Sequence, residues 1–141
     1  MKRFDVLVST MLSLVLIFSL FLLSRIPSTF SGDELSGEWR GSFKRSTIVL
    51  QISSDGKCIL RVGNDLDDEI DQFTGTCKID GSKRPYGFSI NNIDETLYPL
   101  HSLMLPLNNQ TIQMTEFSSK WRLRALNFNP DNTIILNKLT N

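Results

Sequence analysis

The rhythm of apolar and polar positions changes once along this chain, near residue 30. From Val6 to Leu23, 14 of 18 positions are apolar, the other four are Ser or Thr, and none is charged. Wound as a helix at about 1.5 Å per residue, such a run covers roughly 27 Å, close to the ~30 Å hydrocarbon thickness of a bilayer. A secretory signal has a shorter apolar stretch of about 7–15 residues followed by a small-residue cleavage site. Here Arg25-Ile-Pro-Ser-Thr-Phe-Ser-Gly32 offers only a weak site of that kind. The pattern predicts one N-terminal transmembrane helix, a single-pass signal-anchor over 6–24, with a cytoplasmic tip at 1–5 and a linker at 25–36; a cleaved export signal is the alternative. Lys2 and Arg3 precede the run, whereas Arg25, Asp33 and Glu34 follow it. The positive-inside rule then puts the N-terminus inside and the C-terminal domain on the extracytoplasmic side.

Beyond Gly37 the period shortens to two. Short alternating segments separated by turn residues recur, the pattern of a small antiparallel barrel or sandwich. Strands are expected near 37–44, 47–53, 57–63, 72–79, 85–91, 100–107, 110–117, 120–128 and 133–138. Alanine occurs once, at Ala125, so little favours helix on propensity alone. The expected fold is all-β, a small antiparallel meander barrel over 37–138, with a short tail at 139–141.

Turn chemistry sets the register, because a slip of one residue reverses every side chain. Around Ser53-Ser-Asp-Gly-Lys57, a three-residue loop with Gly56 in the left-handed region pairs Ile52 with Cys58, Leu50 with Leu60 and Ile48 with Val62, keeping one face apolar. A next loop centred on Asp67 and Asp68 places Cys58 opposite Cys77. Directly opposed strand residues have Cα atoms about 4.5–5.5 Å apart, within the reach of a disulfide. An oxidising compartment permits that bond; two reduced, buried cysteines are the alternative. A two-residue turn at Asn108-Asn109 pairs Leu103 with Met114 and His101 with Glu116, and Ser118-Ser119 then brings Trp121 beside Glu116. In that register Lys120, Arg122 and Arg124 fall on the other face.

The domain opens with Leu35-Ser-Gly-Glu-Trp-Arg-Gly41. Gly37-x-Trp39 on a first strand, followed by a meander, resembles the start of lipocalin-like (calycin) barrels. The resemblance implies that Trp39 packs across a closed barrel end beneath an arginine from a late strand, with Arg122 and Arg124 as the available structural partners. It also implies a barrel that holds a small apolar ligand, without saying which.

The whole chain has 141 residues, 15 Lys and Arg against 15 Asp and Glu, and a near-neutral mean hydropathy, which is the average of the two unlike parts. Removing Lys2, Arg3, Arg25 and Asp5 leaves 12 basic and 14 acidic residues in the domain, not the balance of a nucleic-acid binder. His101 is the single histidine, so a multi-histidine metal centre is excluded, and no nucleophile elbow or activated cysteine motif points to an enzyme. No cofactor, metal or catalytic residue is expected. Asn64 to Asp71 gathers five carboxylates in eight residues, but without EF-hand spacing. The sharpest site expectation is His101, Glu116 and Trp121 as a polar point in an apolar ligand pocket. The expected role is a membrane-anchored, non-catalytic module binding a small apolar ligand or a neighbouring membrane protein. The alternative is a structural or assembly factor working through its outer surface; an enzyme ranks third.

Overall fold

A computed structural model of the chain describes residues 32–64, 69–94 and 96–140. The expected anchor at 6–24 lies outside the described residues. Among those residues, no helix is long and apolar enough to cross a membrane.

A one-turn helix, α1 (Gly32–Leu35), leads into eight antiparallel strands: β1 (Gly37–Phe43), β2 (Ser46–Ile52), β3 (Lys57–Asn64), β4 (Ile70–Asp80), β5 (Tyr86–Asn91), β6 (Leu100–Asn108), β7 (Thr111–Thr115) and β8 (Thr133–Lys138). Each strand pairs with the next in sequence, and β8 returns to β1 through Trp39 opposite Lys138 and Arg40 opposite Asn137, which closes the barrel. Gly41 permits that closure, since a Cβ there would strike the Ile135 carbonyl oxygen and stand 2.9 Å from Leu136 Cδ2.

Period-two alternation produces the interior. Ile48, Leu50 and Ile52 on β2, Cys58 and Leu60 on β3, Tyr86, Phe88 and Ile90 on β5, and Ile134 and Leu136 on β8 are all buried, with their sequence neighbours at least partly exposed. The expected β2–β3 register is present: Ile52 faces Cys58, Leu50 faces Leu60 and Ile48 faces Val62, with Gly56 at φ +85° in the connecting loop. Between β3 and β4 the register differs by two residues from the expected one, so Cys58 faces Gly75 and Leu60 faces Phe73. A shift of two preserves the faces. Cys58 and Cys77 therefore remain on the inward side and form the disulfide diagonally, with Cα atoms 5.5 Å apart.

Two expectations fail together. The segment 120–128 is not a strand: it contains a single 3-10 turn, Trp121–Leu123, and otherwise irregular chain. It lies over the outer face of β6, where Leu103 lines a surface hollow with Trp121, Arg124 and Leu126. Leu103 is thereby buried from outside while Ser102 and Met104 are buried from inside, so three consecutive residues of β6 are hidden. A strand covered on both faces loses the alternation that identifies its inward side. The β6–β7 turn sits at Asn109-Gln110 rather than Asn108-Asn109, preceded on β6 by a bulge between Pro106 and Asn108. Met104, not Leu103, consequently faces Met114. Further along, Ser102 Oγ donates to the Thr115 carbonyl at 2.7 Å and Thr115 Oγ1 accepts from the Leu103 amide at 2.9 Å, which satisfies the buried polar atoms where the ladder shifts again.

The ends of the barrel differ. At the base, α1 lies across the opening, Leu35 is buried, and the Trp39 indole Nε1–H donates to the Leu35 carbonyl at 2.8 Å. The last residues of the expected linker are thus part of the folded domain. Among the described residues, the side chain over the Trp39 ring is not an arginine but Lys138 of β8, with Nζ 5.2 Å from the ring centroid. Arg122 is exposed in the outer segment, and Arg124 lies elsewhere, 3.5 Å over the Trp121 ring.

Candidate functional site

The opposite end of the barrel is a cup of about 340 Å³. Its floor is Ile48, Leu60 and Ile134, inward residues of β2, β3 and β8. Its wall is Phe43, Val62, Phe73, Leu100 and Phe117, all half-buried against the core. Below the floor the barrel is solid: Leu50, Ile90, Met104, Ile112, Met114 and Leu136 are completely or almost completely hidden. Among the described residues, no element lies across this end as α1 does at the base.

Few polar groups enter this space. Among the described residues they are Lys44, Ser46, Asp71 and Glu116. Lys44 occupies the β1–β2 turn at φ +55°, a left-handed conformation unusual for a side chain of its size. Its Nζ stands 3.4 Å from Glu116 Oε2 and 4.7 Å from the Phe43 ring centroid. Glu116 follows β7 and is fixed by its own amide, which donates to the Asn132 carbonyl at 2.8 Å. Asp71 belongs to the inward side of β4, opposite Val62. An apolar concavity with a few polar groups at one edge is the usual form of a small-molecule site.

The expected trio is divided. Glu116 is at the mouth of the cup. His101 is on the outer face of β6, paired with Ser89 and bridged to Ser118, because the ladder shift turns it away from the interior. Trp121 does reach His101, edge to face with ring centroids 5.2 Å apart, but outside the barrel. The anticipated His101–Glu116 contact is therefore absent. Burial first, and then the nearby Arg124 guanidinium, lower the pKa of His101 below its ordinary 6.5. On the same wall, Asp80 is held below 3.8, chiefly by hydrogen bonding to Ser82, with Lys78 and Arg124 assisting.

The outer cluster yields a pH prediction. The unfolded chain takes up a proton on its histidine more readily than the folded one. The stability that this difference represents is complete above about pH 6.5 and is lost as pH falls toward the lower folded value. Thermal unfolding between about pH 7.5 and 5 should show a falling Tm in the native chain and a shallower fall in His101→Gln. Equal slopes in the two proteins would remove His101 as the cause.

Among the described residues, no group of three or more His, Cys, Asp or Glu is placed to hold a metal ion. The alternation did signal part of the cup, since Ile48, Leu60, Val62 and Phe73 share the inward faces of β2, β3 and β4. What it lacked was any indication of which barrel end is filled. The chain matches no family model, no curated protein and no solved structure.

Proposed function

We propose that this protein is a membrane-anchored, extracytoplasmic and non-catalytic module that binds a small apolar ligand in the cup at the open end of its barrel. The carrying observation is the cup itself: about 340 Å³, apolar in floor and wall, with its charged groups at the mouth. That volume lies at the lower end of the range of small-molecule sites, roughly 300–1,000 Å³. The lipocalin-like character fits the same reading. Trp39 seals the base under a basic side chain of the last strand, the arrangement that the resemblance implies, with Lys138 in place of an arginine. The apolar run at residues 6–23 supports a tether at the membrane, and the intramolecular disulfide is compatible with an exported domain.

A second reading has one observation of its own. Trp121, Leu123 and Leu126 are exposed along the irregular segment on the outer wall, a surface that a neighbouring membrane protein would cover.

Methyl-labelled NMR of the full chain in zwitterionic nanodiscs tests the cup directly. Decanol should shift the methyl signals of Ile48, Leu60 and Ile134 and leave those of Ile112 and Leu136 in place. Val62→Arg, which introduces a charge into the wall, should weaken that binding at least about tenfold, or roughly 1.4 kcal/mol, without loss of the barrel's dispersed spectrum. Shifts confined to Leu123 and Leu126 would favour the outer wall instead.

A further inference from the structure

Resting on the cup as a ligand site, we propose that its ligand carries a cationic head group: an apolar body of about decyl size ending in a protonated amine. Among the described residues, three charged side chains line the cup, and their signs are unequal: one positive, Lys44, against two negative, Asp71 and Glu116. Lys44 is already paired with Glu116. Asp71 has no cationic partner among the described residues, although its place opposite Val62 puts it on the inward face. Nearby basic groups are committed or turned away. Arg61 donates to Gln72 Oε1 at 3.0 Å, and Arg45, next in the β1–β2 turn, is exposed and does not line the cup. Among the described residues, the cup therefore holds one uncompensated negative charge beside an apolar wall.

An ammonium group entering with its chain in the cup meets Asp71 directly. It can also share Glu116 with Lys44, because that pair is solvent-exposed and so held weakly (62% and 54% side-chain exposure). A carboxylate entering the same way must displace Glu116 from Lys44 while approaching Asp71, a like charge at close range. Size follows from volume. At about 30 Å³ for each water-sized group, 340 Å³ accommodates about eleven heavy atoms, the number in decylamine. An alkylamine remains protonated at neutral pH, as lysine does.

Decylamine, decanol and decanoate compare the three head groups on one chain length. Titrated into the full protein in zwitterionic nanodiscs, with the Ile48, Leu60 and Ile134 methyl signals as the readout, decylamine should bind about fivefold more tightly than decanol, and decanoate more weakly than decanol. Asp71→Asn should bring decylamine close to decanol while leaving decanol unchanged, and added salt should reduce the native preference. Decanol binding with decanoate equal to or better than decylamine, or an amine preference that survives Asp71→Asn, would overturn the cationic assignment and leave the cup as a ligand site. Failure of all three to shift the cup methyls would overturn both.

Discussion

Replacing Trp39 with Ala is expected to lower the unfolding free energy by about 4 kcal/mol, the largest effect of any single side chain in the domain. The indole is 1% exposed and fills the base of the barrel. It also holds α1 in place by donating to the Leu35 carbonyl at 2.8 Å, and it carries Lys138 over its face. Truncation removes the packing, opens a cavity and leaves Leu35 with nothing beneath it. Small domains are stable by only about 5–15 kcal/mol in total, so the variant should approach the edge of folding. Trp39→Phe separates the two contributions. It keeps most of the apolar volume but leaves the Leu35 carbonyl without its donor, a loss of about 1–2 kcal/mol. Urea unfolding followed by circular dichroism measures both, with the midpoint falling in the order native, Phe, Ala. A loss below about 1 kcal/mol for Trp39→Ala would mean that the base is closed by something else.

The second large effect belongs to the disulfide. Cys58 and Cys77 are separated by 19 positions, and a cross-link enclosing a loop of that length stabilises a fold by about 3 kcal/mol. Its location raises its importance. No residue of β4 is fully buried, whereas Cys58 and Leu60 on the neighbouring β3 are. Little apolar burial therefore holds β4 to the interior, and the bond from the buried Cys58 supplies part of that attachment. The variant with both Cys58→Ala and Cys77→Ala should unfold at a lower urea concentration by an amount equivalent to about 3 kcal/mol, and its midpoint should not respond to reductant. The native chain should move toward the variant's value when reduced. A native midpoint indifferent to reductant would contradict the assignment. Hydrogen exchange should show the loss first at the amides of Phe73 to Ile79.

How much of this was legible in the sequence varies strand by strand. The β1–β3 region was readable because each strand has one covered face and because Asp55-Gly56 specifies its loop, so turn chemistry and alternation agree. The disulfide survived a register error because that error was two residues, an even number. The site trio did not survive, because the β6 error was odd. Its cause is physical: Leu103 is covered by the segment carrying Trp121, Arg124 and Leu126, and an apolar residue on each side of β6 erases the alternation. The same segment, with Lys120, Arg122 and Arg124 at alternate positions, imitated a strand while lacking a partner to pair with. The cup depends on which barrel end is filled, and side-chain periodicity along the strands carries no signal for that.

Closure of the barrel also has a kinetic meaning. Seven of the eight lateral pairings join strands that are neighbours in sequence; six of them close a loop of at most eight residues, and β7–β8 closes one of 17. The eighth brings Trp39 to Lys138, nearly the whole domain apart. It carries the largest loop entropy of any pairing in the domain and returns stabilisation only once the intervening strands are ordered. The meeting of the first and last strands is expected to limit the rate of folding, and a chain cut short before Thr133 would keep β1 and β7 as two open edges, exposed to other copies of itself.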